Sequence, residues 1–261
     1  MPPTLAPSHT PSSAHGKPPS PVGVPLQGSM IPGGSGAMFD TIADRYDLMN
    51  RLMTFGIDQR WRRQTVDLLR LTEQVRVLDL ATGTADLALL AAKRLPQATV
   101  VGLDPSANML SIGMGKVRKA GLESRIELVH GDACQLPFED ESFDGITMGY
   151  GIRNVTDRPR ALREMSRVLR RGARVCILET GEPTGPLGLA ARLHMRVLVP
   201  VLGGLLSGAP AEYRYLQRST SAFPRPDRFA EVMEGSGLRV LQIVPLLAGA
   251  SHIYVATPSH V

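Results

Sequence analysis

Three aspartates, Asp79, Asp104 and Asp132, each close a short apolar run, in VRVLDL, ATVVGLD and RIELVHGDA. Runs of this length, apolar almost throughout and bounded by turn residues, are expected of parallel strands covered on both faces. In an open α/β sheet a ligand binds outside the carboxyl ends of the strands. The three acids should therefore face one crevice. A carboxylate placed there can accept from both hydroxyls of a ribose, and Asp104 is the expected acceptor. Their joint placement is stronger evidence for a nucleoside site than any one of them.

The turn after the first run decides which nucleoside. A dinucleotide fingerprint needs three glycines, so that a pyrophosphate can approach backbone N–H groups at a helix start. Here the matching positions are Gly83, Ala85 and Ala88, and two of the three glycines are missing. No Lys-Ser/Thr pair follows, so a phosphate loop is excluded as well. The flanking acids Asp79 and Asp86 would repel phosphate and attract a cation. S-adenosylmethionine has a ribose, a sulfonium and an amino group, and no phosphate. In this reading Asp79 lies near the positive end, Gly83 and Thr84 form the turn beneath it, and Asp104 holds the ribose. The plain alternative is a structural strand-turn-helix in an ordinary doubly wound fold.

The surrounding elements must position these groups. LALLAAKRL is a helix that Asp86 can cap and Pro96 prevents from continuing. PSANMLSIGMGKVRKAGL reads as a second capped helix, with Asn108, Met109 and Leu110 nearest the adenosine. LPFEDESFDGITM supplies a loop and a fourth strand ending at Gly149, beside the donor methyl. Arg153 follows in an otherwise apolar loop. Its structural explanation is an ion pair with an acid such as Asp157, and its functional one is stabilisation of a phenolate or orientation of a deprotonating water. DRPRALREMSRVL is an amphipathic helix and RRGARVCILET a fifth strand, ending near Glu179. PDRFAEVMEGSGL is another helix. LRVLQIVPLLAGASHIYVAT reads as two strands joined by a tight turn, an antiparallel addition that completes a seven-stranded sheet.

Composition bounds the remainder. The chain has 261 residues, 43% of them hydrophobic, enough for one domain with appendages. The formal charge of +5 comes from 29 basic and 24 acidic residues, with the arginines spread along helices. That pattern describes solvated helix faces and no nucleic-acid surface. Cys134 and Cys176 give neither a disulfide framework nor metal spacing, and read as buried thiols in a reducing cytoplasm. Residues 1–36 are rich in Pro, Ser and Gly without a periodic apolar face, and are expected to be a disordered tail. They lack the basic start and apolar core of a secretory signal. A methyltransferase domain is expected over 37–258, divided into a helical lid (37–70), a cofactor-binding core (71–180) and substrate-side helices with the final hairpin (181–258). In the lid, Phe39, Ile42, Tyr46, Met49 and Met53 recur at helical spacing, and Gly56 separates them from a second helix carrying Trp61. The run at 197–206 falls well short of the roughly 20 residues that span a bilayer. It reads equally as buried core or as an apolar wall where a polyprenyl tail enters. Arg192, Arg196 and His194 flank it, which suits peripheral attachment to anionic lipid.

Two segments carry a family resemblance. YDLMNRLMTFGIDQRW resembles the first signature of the ubiquinone/menaquinone biosynthesis C-methyltransferases, and GIRNVTDRPRALREMSRVLRRGARVCILE is similar to the second. Tyr213, Tyr215, Ser219, Phe223 and Pro224 extend the likeness, which covers the chain from about Met38 onward. The resemblance implies a doubly wound, seven-stranded class I (Rossmann-like) methyltransferase fold, with S-adenosylmethionine as cofactor. It places Asp132 and Ala133 at the adenine, whereas the residues alone also allow Asp132 to cap the next turn. It implies a polyprenyl quinol as substrate, demethylmenaquinol or the ubiquinone-pathway benzoquinol. Arg153 is then the leading catalytic candidate, with Tyr46 and Asn50 of the lid as further candidates for holding the quinol oxygens. Three positions depart from the pattern. Asp58 stands where the family usually has His, Ala85 replaces a turn glycine, and Gly149 replaces a Ser often lining the donor site. Ala85 suits such a turn if its φ is negative.

The expected activity is C-methylation of the quinol, at a cytoplasmic location with peripheral contact at the inner face of the membrane. A methyltransferase of another small aromatic metabolite, and a non-catalytic assembly subunit that binds the cofactor, are the alternatives. A nucleic-acid enzyme is disfavoured, because there is no basic stripe and no base-flipping motif after the fourth strand.

Overall fold

The structure, a computed structural model, describes residues 56–72, 74–181 and 219–259. The Pro/Ser/Gly-rich tail, the first lid segment with Tyr46 and Asn50, the run at 197–206, and Tyr213 and Tyr215 lie outside those residues.

The apolar runs form strands because only a sheet covered on both faces buries every side chain of a continuous hydrophobic segment. They are β1 (Arg76–Leu80), β2 (Thr99–Asp104), β3 (Ile126–His130), β4 (Phe143–Gly149) and β5 (Leu169–Thr180), followed by β6 (Leu238–Leu246) and β7 (Ser251–Pro258). Their order across the sheet is β3-β2-β1-β4-β5-β7-β6. The first five are parallel, and β7 enters antiparallel between β5 and β6. The seven-stranded sheet expected from the sequence is thus present, including its antiparallel end. The order in which strands are added to the sheet reverses between β1 and β4, and that switch opens the crevice where doubly wound sheets bind ligands.

Among the described residues, five α-helices accompany the strands: α1 (Asp58–Asp67), α2 (Asp86–Arg94), α3 (Ala107–Lys119), α4 (Arg158–Val168) and α5 (Pro226–Glu234). Alternation along β1 shows how they divide. Leu78 and Leu80 point into a core with Leu162 and Met165 of α4 and Phe229 of α5. Val77 points to the other face, into a core with Trp61 and Val66 of α1 and Ala88 and Ala91 of α2. The second lid helix, α1, is therefore packed on the sheet through Trp61.

Two local expectations are corrected. Asp86 does not cap α2: Ala85 occupies the cap position without a side-chain bond, and Asp86 lies in the first turn. There its charge still suits the positive end of the helix. Cys176 is buried, but Cys134 is only half-buried, because it lies in the turn after β3. The cap of α3 is as expected, with Ser106 Oγ accepting from Met109 N–H at 3.1 Å.

Candidate active site

The carboxyl ends of β1 and β4 meet at a cleft lined by Arg62, Asp79, Ala81, Thr82, Gly83, Thr84, Asp86, Leu87 and Gly149. Four of the expected cofactor residues, Asp79, Gly83, Thr84 and Gly149, share this wall. Asp104 is bound to it through the backbone, because Gly83 N–H donates to Asp104 Oδ2 at 2.8 Å. Its other oxygen accepts from Ser106 N–H at 2.8 Å. Each carboxylate oxygen has two acceptor positions, so Asp104 can hold the turn and still accept from ribose hydroxyls.

The turn itself disfavours phosphate. Gly83 N–H is taken by a carboxylate, Thr82 N–H by Leu103 C=O at 3.1 Å, and Ala85 N–H by Thr82 C=O at 2.9 Å. A pyrophosphate would find these donors used and a negative charge beside them. Ala81, Gly83 and Ala85 all have positive φ, at 50°, 55° and 65°. The condition under which Ala85 would suit the turn, a negative φ, is therefore not met. The tight turn imposes a left-handed conformation on an alanine, which costs roughly 1–2 kcal/mol relative to the ordinary region.

Asp79 is buried beneath the cleft. Its oxygens accept from Thr82 Oγ1 at 2.6 Å and from Thr147 Oγ1 of β4 at 2.7 Å. Burial pushes its pKa up to about 6, against the opposing effect of the two hydroxyls and of Arg62. Burial likewise pushes Asp104 up to about 6, while the Ser106 and Gly83 N–H groups act in the opposite sense. Both acids are strained toward protonation until a ligand supplies donors or positive charge.

The remaining expected residues are placed less directly. Asp132 follows β3, and its Oδ1 accepts from Cys134 N–H at 2.9 Å, so the turn-capping role is realised. Ala133 is buried beside it. The Met109 side chain is buried within the protein and is not among the cleft-lining residues. Arg153 lies beyond Gly149 in a short 3-10 turn. It is ion-paired, but with Glu179 at 2.7 Å and not with Asp157, and the two side chains are only 6% and 0% exposed. Asp157 instead caps α4 through Arg160 N–H. Arg153 Nη1 also donates to Tyr150 C=O at 2.7 Å, and its backbone N–H to Glu179 Oε2 at 3.2 Å. Glu179, an ambiguous strand-end acid in the sequence, is thus the group that secures the 150–154 loop.

Two cleft-side cations were not anticipated. Lys116 of α3 reaches across to donate to Thr84 Oγ1 at 2.8 Å and to Asp86 Oδ1 at 2.6 Å. Thirty residues of sequence separate it from Asp86, so no local signal marks it. Arg62 of α1 lines the cleft and donates through Nε to Asp58 at 3.2 Å. Its guanidinium lies 5.8 Å from the centre of the Tyr150 ring. Here a signal existed, since Asp58 and Arg62 are four residues apart on one helix face. Among the described residues no group of His, Cys, Asp and Glu is arranged to hold a metal ion.

An acid-lined cleft at the switch point of a 3-2-1-4-5-7-6 sheet, with its turn donors used internally, gives the chain the fold of the S-adenosylmethionine-dependent methyltransferase class. Solved structures support the fold: a putative S-adenosyl-L-methionine-dependent methyltransferase from Methanococcus maripaludis superposes with a TM-score of 0.63 at 20% identity, covering 85% of this chain and 94% of that one. The [4+2]-cyclase SpnF matches as well, with a TM-score of 0.64 at 16% identity over 86% of this chain and 95% of its own. Fold alone therefore does not fix the reaction. Sequence goes further, for residues 34–257 match the model of the ubiE/COQ5 methyltransferase family, and the chain belongs to that family. A demethylmenaquinone methyltransferase from Thermus thermophilus is 47% identical over 78% of this chain and 92% of its own. A ubiquinone/menaquinone biosynthesis C-methyltransferase from Geotalea uraniireducens is 42% identical over 84% of this chain and 93% of its own.

Proposed function

We propose that the protein methylates a ring carbon of a polyprenyl quinol, converting demethylmenaquinol to menaquinol, or the corresponding benzoquinol of ubiquinone synthesis. The observation that carries this reading is the 42–47% identity to enzymes named for those reactions, spread over nearly their whole length. The cleft supplies a donor site whose mouth adjoins Gly149 and the loop at 150–154. Loss of a proton from a quinol hydroxyl makes the adjacent ring carbon nucleophilic. That carbon attacks the sulfonium methyl, the carbon–sulfur bond breaks toward sulfur, and the ring carbon then loses its proton. Positioning and charge stabilisation are the protein's contributions.

In this proposal Asp104 takes the ribose, Asp79 faces the cationic end, and Asp132 with Ala133 takes the adenine. Met109 packs behind the adenosine site. Arg153, fixed by Glu179, holds the loop against which the quinol oxygen develops its charge. Tyr46 and Asn50 are the proposed partners of the quinol oxygens. The quinol carries its tail in a bilayer, so the enzyme is proposed to work on the cytoplasmic side and meet its substrate at the membrane surface. Among the described residues no helix is long and apolar enough to cross a membrane.

The test combines purified protein, methyl-labelled S-adenosylmethionine and reduced demethylmenaquinone with a short prenyl tail, with the benzoquinol run alongside. One methyl added to carbon in either quinol is the expected product, identified by mass spectrometry. Donor binding with transfer to neither quinol would overturn the substrate assignment in favour of another aromatic acceptor. Flotation with anionic vesicles carrying the quinol tests the surface encounter.

A further inference from the structure

We propose that Arg62, held in place by Asp58, anchors the carboxylate at the methionine end of the methyl donor. This goes beyond the quinol reading and rests only on the donor being S-adenosylmethionine. The donor's amino-acid end is a zwitterion, so its site needs one cationic and one anionic wall. Among the described residues lining the cleft, Arg62 is the single basic side chain, while Asp79 and Asp86 are acidic. Arg62 therefore supplies the wall that the expected site residues lack.

Three observations fix where its guanidinium stands. The Arg62 and Asp58 side chains are 8% and 2% exposed, so their 3.2 Å ion pair is shielded from water. A buried carboxylate at one edge of a guanidinium restricts the rotamers of a long side chain and turns the fork in one direction. The Tyr150 ring lies against it, with the guanidinium carbon 5.8 Å from the ring centre. Finally, Gly149 at the end of β4 brings backbone without a side chain beside the fork: a Cβ there would lie 3.5 Å from Arg62 Nη1. Arg62 and Gly149 line the same cleft, so a small anionic group bound there comes within reach of Nη1. A planar fork matches a carboxylate in geometry as well as charge.

The experiment varies the protein and the ligand together. The full chain and its Arg62→Met, Arg62→Lys and Asp58→Asn variants are titrated calorimetrically with S-adenosylmethionine and with decarboxylated S-adenosylmethionine, which lacks only the carboxylate. The native protein should prefer the complete donor by about 10- to 100-fold, as expected for a charge-assisted hydrogen-bonded pair. Arg62→Met should remove that preference while changing affinity for the decarboxylated donor by less than about 2-fold. Asp58→Asn should give an intermediate preference, which marks it as a positioning residue, and Arg62→Lys should retain part of it. Equal weakening of both donors in Arg62→Met would make Arg62 merely structural and overturn the proposal, as would a native protein that does not discriminate. If Arg62→Met fails to fold by circular dichroism, Arg62→Lys decides: an undiminished preference overturns the proposal, and a reduced one supports it. No acceptor is present, so failure of the quinol assignment leaves these results untouched.

Discussion

The two halves of the sheet's carboxyl edge are built on opposite plans. At the ends of β1 and β2, carboxylates are buried without a direct ion pair among the described residues, and burial pushes Asp79 and Asp104 up to about 6. At the ends of β4 and β5, the charges are closed on each other, with Arg153 gripped by Glu179 and by the Tyr150 carbonyl. The first half keeps acceptor capacity in reserve for a ligand that brings donors and cations. The second satisfies itself, which holds a loop of otherwise weak local structure in one shape. A site of this kind divides the work: the donor side stores electrostatic demand, and the acceptor side stores rigidity.

The contrast is most easily broken at Glu179. Glu179→Ala leaves the Arg153 guanidinium buried without its carboxylate and should cost about 3–5 kcal/mol in urea unfolding. A double replacement, Arg153→Met with Glu179→Met, should recover most of that loss. On the donor side the largest effect falls on binding. Asp104→Asn should weaken donor affinity by roughly 10- to 100-fold, the worth of hydrogen bonds to a charged acceptor, measured by calorimetry.

The same acid gives a pH signature. Its folded pKa of about 6 stands above the unfolded value near 3.9. Its contribution to stability is therefore complete below about pH 4 and is lost as pH rises through about 6. Relative to Asp104→Asn, the ligand-free protein should lose on the order of 2 kcal/mol between pH 4 and pH 7. Donor affinity should move the other way, rising as the acid ionises. The smallest effect is expected at Gly149→Ala. Among the described residues a Cβ there meets Leu87 at 3.4 Å and Arg62 at 3.5 Å, which is ordinary contact. Thermal unfolding should shift by no more than about 0.5 kcal/mol, while any effect on donor binding isolates the position beside Arg62.

Much of the donor half was legible because it is written in local pattern. Apolar runs ending in Asp79 and Asp104 announce strands and their useful ends, and Ser106 at the start of α3 is an ordinary cap. The missing glycines correctly argued against phosphate, but the reason is spatial: Asp104 takes the Gly83 N–H from 21 residues away. What was not legible depends on contacts between distant elements. An acid near in sequence, such as Asp157, was the expected partner of Arg153, yet Glu179 on β5 is the carboxylate buried beside it, where either charge left alone would be costly. Ala85 reads as a residue that avoids positive φ, and the turn overrides that preference because both its flanks are fixed by strand and helix. Asp58 was a bare departure from the family pattern until α1 showed it oriented toward Arg62. Lys116 approaches Thr84 only because α3 folds back over the turn.

The bond from Thr147 to Asp79 joins neighbouring strands in register beneath the cleft. A slip of one residue between β1 and β4 would strand a carboxylate and a hydroxyl in a dry interior, so the floor cannot breathe by sliding. Donor entry and product exit therefore leave the pairing of these two strands unchanged.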